Sequence, residues 1–149
     1  MLLKNQVIED MKSAMKAGEK DRLKVVRLIL AAVKQVEVDE RVELDDPGVL
    51  TVLTKMVKQR RDSVEQFEKG NREDLAAIER DEIAVLKNYL PEQLSADDLA
   101  ALVDEVIAAT GAESIRDMGK VMGQIKAKAA GRADMGAVST TVKERLNAL

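Results

Sequence analysis

The sequence predicts an all-α fold, with about four helices in an N-terminal part and a three-helix domain after it. Alanine, leucine, valine, glutamate and lysine dominate the 149 residues, which include only two prolines. Phe67 and Tyr89 are the only aromatic residues. This composition favours packed helices over a sheet. Apolar residues recur every three to four positions along the whole chain, and no long alternating segment indicates a strand.

Two helices are predicted in the first 40 residues. An apolar stripe between Leu3 and Met15 marks the first, and Gly18 interrupts it. The second restarts at Asp21 and extends to about Asp39. The polar segment that follows predicts a loop.

Two more helices complete the N-terminal part. The Asp46-Pro47 pair predicts an N-cap followed by proline at the first helical position, and Gly70 ends this third helix. Asn71 is placed to cap the fourth helix. Pro91 ends it, because the residue before a proline avoids the helical region.

Three helices are predicted in the C-terminal part. Ser95 is a capping residue for the fifth helix, which ends at Gly111. Ser114 begins the sixth helix, which ends near Gly131, and Asp134 begins the last.

The domain boundaries follow from the segment Tyr89-Leu90-Pro91-Glu92-Gln93-Leu94, which separates two helical blocks. We expect an N-terminal helical domain at 1–90, a hinge at 91–94 and a C-terminal three-helix domain at 95–149.

The residue types exclude several kinds of site. The chain has no cysteine and no histidine, so disulfides, thiolate nucleophiles, Cys/His zinc sites and histidine general bases are impossible. No phosphate-binding glycine motif or nucleophile elbow occurs. We therefore predict no catalytic residue, cofactor or metal, and an enzyme acting on its own is the least favoured hypothesis. No segment has the apolar length of a membrane span or a signal peptide, which predicts a cytoplasmic protein without a membrane partner.

Charge is unevenly distributed along the chain. Residues 94–113 carry five acidic and no basic side chains, whereas residues 114–149 carry seven basic and three acidic ones. The overall charge of −3 argues against indiscriminate nucleic-acid binding, but the last third forms a basic patch behind an acidic helix.

Two glycines mark the sixth helix as a candidate site. Gly119 and Gly123 are four residues apart and share one face. Each interior glycine costs roughly 0.5–1 kcal/mol relative to alanine, so two of them suggest a use for bare backbone. Either a neighbouring helix packs closely against them or they form an open surface for a polyanion. They lie beside an apolar arc made of Ile115, Met118, Val121, Met122 and Ile125.

Basic residues around these glycines suit phosphate contacts, which position a nucleic acid without reading its sequence. The segment lacks stacking aromatics, which favours a folded, duplex-rich RNA over a single strand. The predicted nucleic-acid contacts are Arg116, Gly119, Lys120, Gly123, Lys126, Lys128 and Arg132.

Arg60 and Arg27 fall in or beside apolar stripes in the N-terminal part. The sequence leaves two alternatives for Arg60. Either its aliphatic part lies along the edge of the core and its guanidinium reaches solvent, or the guanidinium forms an internal ion pair or a ligand contact. Arg27 raises the same question.

Several segments resemble the GatB/YqeY family, over nearly the whole chain. The most specific are Tyr89-Leu90-Pro91-Glu92-Gln93-Leu94-Ser95 and Asp117-Met118-Gly119-Lys120-Val121-Met122-Gly123. The others are Met11-Lys12-x-Ala14-Met15-Lys16, Asp21-x-Leu23-x-Val25-Val26-Arg27, Lys58-Gln59-Arg60-Arg61-Asp62-Ser63 and Gly131-Arg132-Ala133-Asp134.

The resemblance implies an all-helical fold and a tRNA-related role. The same unit forms the tail of the B subunit of the glutamine-dependent tRNA amidotransferase, a carbon–nitrogen ligase, where it is held to contact tRNA. This chain lacks that enzyme's amidase and kinase-like parts, so the resemblance implies a stand-alone tail and transfers no catalytic residue. We expect a tRNA-binding accessory protein, with an amidotransferase or aminoacyl-tRNA synthetase as a further partner. The alternative is an adaptor that docks on an amidotransferase or another translation component.

Overall fold

The computed structural model describes residues 2–149, which form seven α-helices and no strand. The all-α prediction and its division into four helices plus three are confirmed. The helices are α1 (Leu2–Ala17), α2 (Lys20–Glu40), α3 (Asp46–Lys69), α4 (Glu73–Lys87), α5 (Ala96–Thr110), α6 (Met118–Ala129) and α7 (Met135–Asn147). A short 3₁₀ turn, Ile115–Asp117, precedes α6.

The chain divides into two compact units, of which the first ends at Leu90 and the second is Pro91–Leu149. In the first unit, α3 packs most extensively against α4, and α1 against α2. Its core is aliphatic, with Ile29, Leu53 and Leu86 fully buried. In the second unit, α5, α6 and α7 pack against one another around Val103, Ile125 and other aliphatic side chains.

Local capping chemistry sets several helix starts as predicted. The Ser95 side chain accepts a hydrogen bond from the Asp98 amide, and the Asp134 side chain accepts one from the Ala137 amide. Gly111 ends α5 in the left-handed conformation, at φ 68°. The side-chain caps satisfy amide groups at a helix start, and the left-handed glycine lets its amide bond to carbonyl groups at a helix end, where the helix itself offers no partner.

Two predicted caps are displaced by one residue. Asp45, not Asp46, caps α3 by accepting from the Gly48 amide, while Asp46 accepts from the Leu3 amide at 3.1 Å. Asn71 does not cap α4: it continues the turn after α3 with φ 57°, and Arg72 occupies the N-cap without a side-chain bond.

The segment predicted to be a hinge is attached to the second unit. Gln93 Nε2 donates to the Gly131 carbonyl at 2.6 Å, and the Leu94 amide donates to the Arg132 carbonyl at 2.8 Å. Arg132 Nε donates to the Glu92 carbonyl at 3.2 Å. These bonds fix 92–94 against the loop between α6 and α7.

Candidate nucleic-acid interface

The start of α6 is fixed by a reciprocal capping box. The Ser114 hydroxyl accepts from the Arg116 amide at 3.3 Å, and Asp117 Oδ2 accepts from the amides of Glu113 (2.9 Å) and Ser114 (3.4 Å). These backbone hydrogen bonds, with a smaller contribution from Lys120, lower the pKa of Asp117. The carboxylate therefore stays charged at the positive end of the helix, where it is favoured.

The buried face of α6 is narrower than predicted. Val121 and Ile125 are fully buried, while Met118 and Met122 are half-buried. Ile115, predicted to share this apolar arc, is 42% exposed. Ile115 lies in the 3₁₀ turn that precedes α6, one turn before the helix itself, so it is not part of the stripe that α6 buries.

The two glycines of α6 face open space. A Cβ atom added to Gly119 or Gly123 would have no neighbour within 4 Å outside the helix's own backbone. Both glycines are exposed. The interpretation that a neighbouring helix packs closely against them is therefore wrong, within residues 2–149. We call Gly119 and Gly123 the glycine strip.

Three of the predicted cations border this strip. On the helical projection of α6, Lys120 lies on one side of the strip and Lys126 on the other, while Arg116 lies in the 3₁₀ turn just before the helix. All three are exposed, and no carboxylate of residues 2–149 lies within ion-pair distance of them. Their charge is therefore not cancelled by a salt bridge.

The other two predicted cations lie elsewhere. Lys128 is on the far side of α6 from Gly119, and its Nζ is 3.9 Å from Glu105 of α5. Arg132 is half-buried, and its guanidinium is held by the Glu92 carbonyl. The five cations of the prediction do not form one surface.

Arg60 forms an internal ion pair, the second of the two alternatives. Its Nε donates to Glu82 Oε2 at 2.9 Å, and the two side chains are 13% and 12% exposed. Lys24 lies 3.5 Å from the other Glu82 oxygen. The pair joins α3 to α4. Arg27, in contrast, is exposed and has no ion pair with the described residues.

Sequence reasoning missed a polar contact in the first unit. The Tyr89 hydroxyl donates to Asp10 Oδ2 at 2.6 Å, and Asp10 also lies 3.8 Å from Arg22. Burial, followed by the hydrogen bond to Asp10, raises the pKa of Tyr89 well above its ordinary value. The partners are 79 residues apart, so only the position of Tyr89 in a family motif pointed to a role.

The structure offers no group of acidic side chains, among residues 2–149, that could hold a metal ion. Within that same range, no helix is both long and apolar enough to cross a bilayer.

Comparison with protein families gives one decisive match. The model of the family described as "Yqey-like protein" matches residues 4–146. The chain belongs to the YqeY-like family. The resemblance noted from the sequence motifs is thereby confirmed.

Three curated proteins to which the chain is similar share the name "Altered inheritance of mitochondria protein 41, mitochondrial". The one from Lachancea thermotolerans is 39% identical over 83 residues, which is 55% of this chain and 44% of the relative. The one from Kluyveromyces lactis is 38% identical over 82 residues, which is 54% of this chain and 44% of the relative. The one from Pyrenophora tritici-repentis is 29% identical over 143 residues, which is 93% of this chain and 78% of the relative.

The match thus spans less than half the length of the first two relatives. Their names place those proteins in mitochondria, which is not the compartment that the sequence predicted for this chain. The cytoplasmic location of this chain stays a prediction.

Proposed function

We propose that this chain is an RNA-binding accessory protein, with tRNA as the best candidate ligand. The observation that carries the proposal is the open glycine strip bordered by three unpaired cations, Arg116, Lys120 and Lys126. Charged heads beside bare backbone let a phosphate group approach the helix closely.

The surface fits a folded RNA better than a single strand. The second unit, Pro91–Leu149, contains no aromatic residue on which a base could stack. Recognition would therefore depend on backbone position and shape, as for duplex RNA. The resemblance of the sequence motifs to the GatB/YqeY family favours a tRNA and a relation to tRNA-dependent amidotransferases. Carbon–nitrogen ligase chemistry would require the catalytic parts of such an enzyme from a partner, since this chain lacks those parts.

The test is a triple substitution of the bordering cations, Arg116→Ala, Lys120→Ala and Lys126→Ala. Their side chains are solvated, so thermal stability should stay within about ±0.5 kcal/mol per site. Affinity for tRNA, measured by fluorescence anisotropy at several salt concentrations, should fall. The slope of log affinity against log salt should shrink by roughly 0.7–0.9 for each phosphate that the variant no longer neutralises.

A control removes the same number of positive charges from the second unit, one on the far side of α6 and two on α7: Lys128→Ala, Lys143→Ala and Arg145→Ala. Lys128 and Arg145 lie beside carboxylates of α5. This variant should retain most of the affinity. The proposal is wrong if the bordering-cation variant binds tRNA as tightly as the parent at physiological salt.

A protein-binding adaptor is the second candidate function. The open strip favours it too, because exposed glycines allow another helix to approach closely. The partner would be an amidotransferase, an aminoacyl-tRNA synthetase or another translation component. A packed protein interface would give a small salt dependence, whereas phosphate contacts give a steep one.

A further inference from the structure

Helix α2, in the first unit, has a second row of regularly spaced residues on its exposed face, in addition to the row that it buries in the core. Leu28, Ala31, Gln35 and Val38 are spaced three, four and three residues apart, and all four are exposed. Val42 continues the spacing just beyond the C-cap. This is the spacing of the contact seam of a coiled coil. We call these five residues the α2 seam.

Cations flank one side of the α2 seam at intervals of seven residues. They are Lys20, Arg27, Lys34 and Arg41, and the last three each directly precede a seam residue. All four are exposed, and none forms an ion pair with a carboxylate of residues 2–149. In a coiled coil, this flanking position pairs with charges of the partner helix and selects the partner.

Glu37, which follows Lys34 by three residues on α2, is largely buried. Glu37 accepts hydrogen bonds from Lys4 Nζ and from the Leu44 amide, each at 2.9 Å, and is 11% exposed. The Leu44 amide, followed by Lys4, lowers the pKa of Glu37. Lys34 makes a further, smaller contribution to this lowered pKa, but the ion-pair partner of Glu37 is Lys4 and not Lys34.

A shallow groove of about 450 Å³ lies at the C-terminal end of the seam. Val38 and Val42 form its apolar part, and the rest of its lining is charged: Lys4, Lys34, Glu37, Arg41 and Glu43. The large seam residues are substantially exposed, Leu28 at 39%, Val38 at 59% and Val42 at 48%.

We propose that the α2 seam docks an amphipathic helix of another protein, one whose apolar seam is flanked by aspartate or glutamate. Charge complementarity selects this occupant. A second copy of α2 packed antiparallel would set its row of cations against the same row. Packed parallel, it would mostly set the cations against the opposite flank, where Val25 is buried, Ala32 is half-buried and Asp39 is the single carboxylate. A nucleic acid would make no use of the apolar seam.

The experiment uses the full chain and a fluorescein-labelled probe peptide of three heptads, with leucine at the seam positions and glutamate at both flanking positions. A control peptide carries lysine at the flanking positions. The parent chain should bind the glutamate peptide and not the lysine peptide. The charge-reversed variant, Arg27→Glu with Lys34→Glu, should lose about tenfold or more in affinity for the glutamate peptide and gain binding of the lysine peptide.

Two further variants separate the seam from simple charge attraction. Leu28→Gln with Val38→Gln keeps every charge and should also lose the glutamate peptide. Lys55→Glu with Lys69→Glu reverses two exposed charges on α3 and should bind like the parent. Circular dichroism of each variant checks that the helices are intact.

Several outcomes would overturn the proposal. One is that the glutamate peptide binds the parent chain and the charge-reversed variant with equal affinity. Another is that the variant with the two glutamine substitutions binds the glutamate peptide as tightly as the parent does. If the parent chain is a dimer in analytical ultracentrifugation and the variant with the two glutamine substitutions is a monomer, the seam binds a second copy of this chain instead. If the parent chain does not bind the glutamate peptide, and the charge-reversed variant binds duplex RNA more weakly than the parent, the cations serve nucleic-acid binding instead. None of these outcomes depends on α6, so the proposed function is tested separately.

Discussion

Replacing Gly123 with alanine should stabilise the second unit. The residue lies inside α6 and an added Cβ would meet nothing within 4 Å outside the helix's own backbone, so the methyl group costs no overpacking. Alanine in a helix interior is favoured over glycine by about 0.5–1 kcal/mol. For a domain of about 60 residues, this corresponds to a rise of roughly 2–8 °C in Tm.

Gly111→Ala is the matched control. Its added Cβ would also meet nothing within 4 Å, but Gly111 has φ +68°, where a side chain is strained. Alanine there should lower stability by about 1–2 kcal/mol. The two variants make the same chemical change in equally open surroundings, so their opposite effects isolate backbone conformation.

The assay is chemical and thermal unfolding followed by far-UV circular dichroism, together with tRNA binding. If the glycine strip is an RNA surface, Gly123→Ala and the larger Gly123→Leu should bind tRNA more weakly although they are at least as stable as the parent. A lower melting temperature for Gly123→Leu would refute the reasoning, because overpacking costs about 1–3 kcal/mol only where a neighbour covers the position.

Three other predictions concern the rest of the chain. Tyr89→Phe should destabilise the first unit by about 1.5–3 kcal/mol, the range for a hydrogen bond to a charged group such as Asp10. Because folding raises the pKa of Tyr89, its contribution is complete below pH about 10 and should be lost as pH rises further, which an alkaline unfolding series would measure. A fragment of residues 91–149 should fold on its own, and a random-coil circular dichroism spectrum of it would contradict an autonomous domain. A shorter fragment of residues 95–149 should be about 1–3 kcal/mol less stable, because it lacks the hydrogen bonds of Gln93 and Leu94. The purified chain should not hydrolyse glutamine or ATP, nor amidate Glu-tRNA; turnover that survives repurification and disappears on mutating this chain contradicts this.

Helix number and most helix starts could be predicted because they depend on neighbouring residues. Ser95, Ser114 and Asp134 bind amides two or three positions away, which the sequence displays directly. The start of α3 could not be placed to the residue, since two aspartates precede Pro47. The choice between them involves Leu3, which is 43 residues away from Asp46 and invisible to a local pattern.

The candidate site was predictable to the same extent. The exposure of Lys120 and Lys126 follows from the periodicity of α6. Whether a neighbouring helix covers Gly119 and Gly123 did not follow from it, and the structure decides that question. That Lys128 lies beside Glu105 depends on how α5 packs against α6, which no spacing within α6 reveals. The ion pair of Arg60 likewise needed the position of α4.

Tyr89 also gives the molecule a built-in optical reporter. It is the only tyrosine, and the chain has no tryptophan, so emission excited near 280 nm comes from one ring in the first unit. That ring lies against the carboxylate of Asp10, and separating the two on unfolding changes the emission. The second unit is dark at this wavelength. Tyrosine fluorescence therefore follows the first unit alone, and comparison with circular dichroism resolves the unfolding of each unit without a label.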